Sequence, residues 1–207
     1  MERRTWAEIN LDALEHNIRQ VRKITNPNAQ IMAVVKADAY GHGVAECAEL
    51  LLENGADRLG VATLNEAIEL RRLFYDVPIL ILGSSLESET DELVKNDITP
   101  NVYMTEFAKA LSDSAVKQKK TVKVHIKLDT GMSRIGFPVG DGDNSVIIDD
   151  IIAISKLPNL EIEGIFSHFS TSDEVDTQYT HLQFKRFMSV CDTLKERGIE
   201  IPIKHIC

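Results

Sequence analysis

Short apolar runs alternate with helical patterns along almost the whole chain. The runs are rich in β-branched residues, which predicts strands, and the segments between them carry apolar residues three and four positions apart, which predicts helices. The predicted strands are 31–35, 59–62, 78–82, 98–102, 121–128, 160–166 and 201–206. The predicted helices are 12–24, 43–54, 64–74, 87–95, 106–117, 145–156 and 178–197. This alternation indicates an α/β fold in which helices cover a parallel sheet.

Three of these helices carry a start signal or an apolar face. Thr63, followed three residues later by Glu66, predicts a capping box at the start of helix 64–74. In helix 12–24 the predicted buried stripe consists of Leu14, Ile18 and Val21. In helix 178–197 the predicted apolar face consists of Phe184, Phe187, Met188, Cys191 and Leu194.

The strand at 121–128 bears on the layout of the sheet. Its apolar residues alternate with a polar set that consists of Lys123, His125, Lys127 and Asp129. A strand between two helix layers would be apolar throughout, so the polar side must face something else. The mouth of a barrel, where ligands bind, offers such a place, and the pattern favours a closed (β/α)8 barrel over an open doubly wound sheet. An edge strand with one solvated face is the alternative interpretation.

The barrel predicted in this way is incomplete. Eight units usually need about 250 residues, whereas this chain has 207 and supplies seven strands. An open barrel would leave two apolar strand edges unpaired, which is costly and prone to aggregation. We therefore expect a TIM-type barrel whose eighth strand lies beyond this sequence, in a longer polypeptide, or is supplied by something else.

Composition and charge narrow the function classes. The formal net charge of −9 repels phosphate backbones, so we expect no nucleic-acid partner. No apolar stretch approaches the roughly 20 residues of a membrane span, and the first residues lack the apolar stretch of a secretory signal. Three widely spaced cysteines argue against a disulfide framework and for a reducing compartment. These features favour a cytoplasmic protein without a membrane anchor.

The residues that could carry chemistry lie where the predicted strands end, which is the active-site face of any such barrel. They are Lys36, Lys127, Asp129, Arg134 and His168. Lys36 closes an apolar run, where desolvation would favour a neutral amine able to attack a carbonyl substrate or pyridoxal phosphate (PLP). A lysine whose amine reaches back to solvent is the alternative interpretation.

Four segments resemble the motifs of alanine racemases, in the order in which that family carries them. They are WAEINLDAL at 6–14, KADAYGHG at 36–43, KLDTGMSRIG at 127–136, and GIFSHF at 164–169 followed by Asp173 and Glu174. The segment at 36–43 is the most specific, and the resemblance covers nearly the whole chain. It implies a fold type III PLP enzyme, in which an N-terminal barrel precedes a β-rich C-terminal domain. Residues 1–10 would then be a strand segment joining that later domain, and residues 11–207 would be the incomplete PLP-binding barrel.

The resemblance also assigns roles to individual residues. Lys36 would bind PLP as a Schiff base and act as one of two catalytic bases. Tyr40 would contact the phosphate of pyridoxal 5′-phosphate, and His168 would stack on its ring. Arg134 would lie near the phenolic oxygen and bind the substrate carboxylate, which a guanidinium suits through paired N–H donors.

Lys127 raises a separate electrostatic problem. It would point into the mouth beside Arg134 and the amine of Lys36, and clustered positive charges are unfavourable at low dielectric. In the family the matching lysine is often carbamylated, which turns its positive charge negative, and we expect the same of Lys127. Asp129 could serve as a counter-ion or stabilise the loop. His168, Asp173 and His181 could imitate a metal-ligand set, but we expect no metal site.

The function that the resemblance implies is the interconversion of L-alanine and D-alanine for cell-wall precursors by a homodimeric, cytoplasmic enzyme. Racemisation needs bases on both faces of the Cα atom, and the family's second base is a tyrosine of the C-terminal domain offered across the dimer. We therefore expect the 207 residues alone to be inactive. Two other possibilities are a single-domain barrel that binds PLP for cofactor homeostasis and a barrel decarboxylase of basic amino acids.

Overall fold

The computed structural model describes residues 5–207, and the predicted alternation of strands and helices is confirmed. The helices are α1 Leu11–Ile24, α2 Lys36–Gly41, α3 Val44–Glu53, α4 Leu64–Leu73, α5 Thr90–Lys95, α6 Thr105–Gln118, α7 Ser145–Ile154 and α8 Gln178–Glu196, with a 3₁₀ turn at Glu87–Glu89. The strands are β1 Met32–Val34, β2 Arg58–Val61, β3 Ile79–Ile81, β4 Thr99–Val102, β5 Val122–Asp129, β6 Phe137–Pro138, β7 Leu160–Ser167 and β8 Ile203–Ile206.

The chain divides into two compact units, and the first ends at Gly83. Within it β1, β2 and β3 pair in parallel, with Ala33 opposite Leu59 and Leu59 opposite Ile79. All four residues of β2 and all three of β3 are buried, as expected for a parallel strand covered on both faces. Helix α4 starts with the predicted capping box: the Thr63 side chain accepts the Glu66 N–H, and the Glu66 carboxylate accepts the Thr63 N–H.

The second unit begins at Ser84. Its strands β4, β5, β7 and β8 pair in parallel in that order, and the two-residue strand β6 pairs with β5. The apolar set of β5 is fully buried, and its register with β7 shifts between Val124 and His125. In the polar set of this strand His125 is 0% and Lys127 is 4% exposed, whereas Asp129 is half-buried and Lys123 is exposed. Because β5 pairs with β4 on one side and with β7 on the other, it is not an edge strand, and that interpretation is wrong.

Two predicted core positions are wrong. Val21 in α1 is 43% exposed and Phe184 in α8 is 46% exposed, although Ile18 and Phe187 on the same helices are buried as predicted. On α8 the completely buried neighbour is Gln183, whose amide bonds to loops described below. On α8 the periodicity placed the buried face one residue away, at Phe184 instead of Gln183. It could not show that a polar side chain occupies part of that face.

Two short elements have no counterpart among the predictions. They are α2, which begins at Lys36, and the two-residue strand β6. Part of the predicted N-terminal strand segment, residues 1–4, lies outside the described residues, and residues 5–10 are in neither helix nor strand. Among residues 5–207 no helix is both long and apolar enough to cross a membrane.

Candidate active site

Lys36 stands at the start of a left-handed turn. It follows β1 and Val35, and the next four residues, Ala37 to Tyr40, have φ between 51° and 57° and ψ between 36° and 51°. None of the four is glycine, and the left-handed region costs an L-residue about 1–2 kcal/mol. The Lys36 side chain is half-buried, and its Nζ lies 5.8 Å from the centre of the Tyr40 ring. The predicted lysine and tyrosine are therefore neighbours in the first unit.

Local hydrogen bonds stabilise this turn. The Ala39 N–H donates to the Val35 carbonyl at 3.0 Å, and the Gly43 N–H donates to the Asp38 carbonyl at 3.1 Å. The Asp38 carboxylate accepts the Val44 N–H at 2.7 Å, which also caps the start of α3. These bonds offset the backbone strain because they satisfy peptide groups that right-handed helix geometry would satisfy otherwise.

Glu66 connects the turn to the start of α4. Its Oε1 accepts the Ala37 N–H at 2.8 Å, while its Oε2 accepts the Ala62 N–H at 2.7 Å and the Thr63 N–H at 3.2 Å. The sequence predicted only the capping role, because the contact with Ala37 joins residues 29 positions apart. The carboxylate therefore links the lysine-bearing turn to the β2–α4 junction.

Lys127 lies at the end of β5 in the second unit, with 4% of its surface exposed. Its Nζ is 4.2 Å from the centre of the Phe166 ring. The pKa of Lys127 is lowered to about 8, mainly by burial and also by the charge of Arg134, whereas Asp129 acts in the opposite direction. The predicted crowding of Lys127 by Arg134 is thus present within this unit.

Arg134 and His168 line a small cleft together with Lys127. Arg134 is exposed on the loop after β5, and His168 follows β7 and is half-buried. Asp129 stabilises that loop, because its Oδ1 accepts the N–H groups of Gly131 and Ser133, each at 3.0 Å. Of the two roles left open for Asp129, the loop role is thus observed, and its charge also acts on Lys127.

Gln183 of α8 ties both loops of this cleft together, and the sequence did not point to it. Its Oε1 accepts the Ser170 N–H at 3.0 Å, and its Nε2 donates to the His168 carbonyl at 3.2 Å and to Thr130 Oγ1 at 3.5 Å. Thr130 Oγ1 also lies 2.8 Å from Ser167 Oγ. One buried amide thus bonds to the loop after β5 and to the loop after β7.

Two more side chains of α8, those of Arg186 and Tyr179, donate hydrogen bonds to the backbone of the loop after β5. Arg186 donates to the Thr130 carbonyl at 3.0 Å and pairs with both carboxylate oxygens of Asp141 at 2.9 and 2.8 Å. The Tyr179 hydroxyl donates to the Gly131 carbonyl at 2.8 Å. Because Gly131 has a φ of +133°, this segment also needs the freedom of glycine.

The completely buried His125 lies beside the half-buried His205. His125 Nδ1 is 2.9 Å from His205 Nε2, and His125 Nε2 is 3.3 Å from Glu163 Oε2. The His205 ring stacks on Phe166 with 4.7 Å between ring centres and 4° between ring planes. The parity of β5 predicted the inward direction of His125, whereas no signal in the sequence indicated His205 or Glu163.

The sequence matches the family described as alanine racemase, N-terminal domain, over residues 9–207. The chain belongs to this family. It is 53% identical over 204 residues to alanine racemase from Clostridium tetani and 49% identical over 200 residues to that from Methanococcus maripaludis. These alignments cover 99% and 97% of this chain but 51% and 52% of the relatives, so the chain spans about half the length of the curated relatives it matches.

Solved structures agree with the family assignment. Alanine racemase from Clostridium difficile 630, in complex with cycloserine, superposes with a TM-score of 0.94 at 39% identity over 100% of this chain and 56% of that chain. A histidine racemase from Leuconostoc mesenteroides superposes with a TM-score of 0.85 at 30% identity, over 95% of this chain and 51% of that chain. The predicted fold class is thereby confirmed as the α/β, TIM-like N-terminal domain of alanine racemases.

Proposed function

We propose that this chain is the barrel part of a PLP-dependent alanine racemase, which interconverts L-alanine and D-alanine. The observation that carries the proposal is the place of Lys36 directly after β1, at the start of the left-handed turn, in a chain of this family. A strained backbone that directly follows a lysine is the kind of feature that a functional site retains.

The donors present suit PLP. Lys36 offers a half-buried amine for the aldehyde, and the 60% exposed Tyr40 offers a hydroxyl for the phosphate. His168 offers an imidazole for the pyridine ring, and Arg134 offers a guanidinium for the phenolic oxygen and the substrate carboxylate. These roles follow the motif resemblance residue by residue.

PLP would supply delocalisation of the negative charge left on Cα when its proton departs. Lys36 would hold the cofactor through Nζ, and its free amine would carry the Cα proton on one face of the substrate. Arg134 would hold the carboxylate so that the Cα–H bond points at a base. A second base must act on the opposite face, because one residue cannot reach both. By the family resemblance it would be a tyrosine of the C-terminal domain, offered across a homodimer.

Lys127 is proposed to carry a carbamate. Its neutral amine would attack carbon dioxide and release one proton, which leaves a carboxylate on Nζ. The pKa of about 8 supports this step, because a sizeable fraction of the amine is neutral near physiological pH. The new negative charge would form an ion pair with Arg134 and hold its guanidinium in place. Electron density that ends in a flat three-atom group would support the modification, and density for a bare amine would contradict it.

The remaining parts of the proposal concern the whole protein. We propose alanine as substrate, a role in peptidoglycan precursor supply and a cytoplasmic location, each from the family resemblance. A histidine racemase shares this fold, so the fold by itself does not determine which amino acid is the substrate. Substrate choice therefore has to be measured.

Borohydride reduction followed by proteolysis tests the central claim. We expect a pyridoxyl group on Lys36, and a protein with Lys36→Ala should take up none. The protein as its gene encodes it should form D-alanine from L-alanine, with L-serine, L-histidine and L-lysine as comparison substrates. A label on a different lysine, or decarboxylation of lysine, would contradict the proposal, and a label without any racemisation would favour a cofactor-holding barrel.

A further inference from the structure

We propose that Glu66 is a positioning residue for Lys36. Its carboxylate would fix the peptide group through which the lysine enters the left-handed turn, and so set the direction in which Nζ meets the aldehyde of PLP. This inference rests on the proposed function, because it gives Glu66 a part in the cofactor chemistry of the same site.

The first step is the identity of the bonded peptide. The Ala37 N–H that Glu66 Oε1 accepts at 2.8 Å belongs to the peptide bond between Lys36 and Ala37. Fixing the plane of this peptide fixes ψ of Lys36, and with it the direction of the Cα–Cβ bond from which the side chain extends. One hydrogen bond therefore acts on the orientation of the reactive amine.

The second step is the need for such a bond. The four residues that follow Lys36 are in the left-handed region without a glycine among them, so a contact from outside the turn adds to its local hydrogen bonds in holding this conformation. Glu66 supplies such a contact from a different element, since it is the third residue of α4. An ionised acceptor gives a stronger hydrogen bond than a neutral one, and the start of a helix favours its negative charge.

The third step separates this role from helix capping. Glu66 uses Oε2 for the Ala62 and Thr63 N–H groups and Oε1 for the Ala37 N–H. The variant Glu66→Gln retains one acceptor oxygen. That oxygen keeps more bonds if it faces Ala62 and Thr63, which turns the amide NH₂ towards the Ala37 N–H, where two donors cannot bond. The variant should thus retain the helix cap and lose only the bond to the lysine turn.

Two control variants complete the design. Thr63→Ala removes the side chain that accepts the Glu66 N–H at 3.4 Å, which weakens the start of α4 but leaves the carboxylate facing Ala37. Glu69→Gln removes a charge of the same type from an exposed position on the same helix. If Glu66 merely stabilised α4, Thr63→Ala would reproduce the effect of Glu66→Gln.

The experiment uses the protein as its gene encodes it, with PLP as the probe. We expect Glu66→Gln to weaken PLP binding by about 10-fold or more, as for one lost charge-assisted hydrogen bond. The pH at which the visible absorption of bound PLP titrates should also shift, and hydrogen exchange of the Ala37 amide without PLP should accelerate. Thr63→Ala and Glu69→Gln should remain within about 2-fold of the unmodified protein in PLP affinity, with an unchanged titration.

Glu66→Asp is a second route if the glutamine variant does not fold. Its shorter carboxylate can still cap α4 but falls short of Ala37, so the same loss of PLP affinity is expected. Unchanged PLP affinity and titration in Glu66→Gln or Glu66→Asp would overturn the positioning role, as would an equal loss in Thr63→Ala. If the unmodified protein takes no label at Lys36, the proposed function itself fails, and that outcome is distinct from the others.

Discussion

At the residue scale, the backbone of Gly164 lies so close to the His125 ring that there is no space for a side chain at this position. A Cβ atom at this position in β7 would overlap the ring of His125. The ring has little room to move, because His125 is completely buried and lies 2.9 Å from His205. We expect Gly164→Ala to lower the free energy of unfolding by about 3 kcal/mol, measured by urea denaturation.

Gly142→Ala is the matched control for this change. Its Cβ would meet nothing within 4 Å, so its free energy of unfolding should change by less than about 0.5 kcal/mol. Equal effects of the two substitutions would show that the ring of His125 can move aside and that the steric limit is absent.

Lys127 gives a residue-scale prediction about pH. Burial lowers its pKa from 10.5 to about 8 in the folded chain, so the unfolded chain holds a proton between these values that the folded chain has lost. Folded-state stability therefore rises as pH increases through this window, and the penalty of burying the charge is fully present below pH 8. The difference corresponds to about 3 kcal/mol.

The measurement compares the unmodified chain with Lys127→Met in carbonate-free buffer. Urea denaturation from pH 7 to pH 10.5 should show the unmodified chain gaining about 3 kcal/mol relative to the variant. The other titrating groups are common to both proteins and cancel in the comparison. Parallel stability curves across this range would contradict the lowered pKa.

Individual residues differ in how far the sequence predicted them. The alternation along β5 placed Lys127 and His125 on the inward face, because strand geometry fixes which side chains share a face. The contact of Glu66 with Ala37 and the partners of Gln183 depend on how separate elements pack. No periodicity or local propensity encodes such contacts, so the contact of Glu66 with Ala37 and the role of Gln183 were missed.

At the element scale, the turn α2 shows where local pattern misleads. Alanine favours the right-handed helix, yet Ala37 and Ala39 have φ of 52° and 51°. The flanking Gly41 and Gly43, with φ of 81° and 92°, were the only local hints of unusual backbone. Contacts with α4 and α3 override the intrinsic preference here, and the sequence analysis predicted no element between the strand 31–35 and the helix 43–54.

Helix α8 gives the element-scale prediction. Its buried Gln183 bonds to Ser170, to the His168 carbonyl and to Thr130, so truncation removes this partner from the buried Thr130 hydroxyl and from two part-buried backbone groups. We expect Gln183→Ala to lower the free energy of unfolding by about 2–3 kcal/mol in urea denaturation. Gln178→Ala, at the exposed first position of the same helix, should change it by less than about 0.5 kcal/mol. A similar cost at both positions would mean that Gln183 does not hold the two loops.

At the scale of the whole molecule, the fold class was predictable because it depends on periodicity alone. Alternating strands and helices indicated parallel pairing, and the polar side of β5 indicated a barrel rather than an open sheet. The comparison with Clostridium difficile alanine racemase confirms that class. The chain's relatives are about twice as long, and these 207 residues match only about half of their length.

The need for one base on each face of Cα leads to a prediction about the activity of these 207 residues alone. If Lys36 acts on one face of the substrate and the opposite base comes from outside these 207 residues, the chain alone can remove a proton from Cα but not return it on the other side. We expect PLP labelling at Lys36 and, at most, exchange of the Cα hydrogen of one enantiomer with deuterated water, without formation of the other enantiomer. Lys36→Ala should abolish both label and exchange, which excludes a host enzyme as their source. D-alanine produced from L-alanine by the purified chain, and absent with Lys36→Ala, would show that both bases lie within these residues.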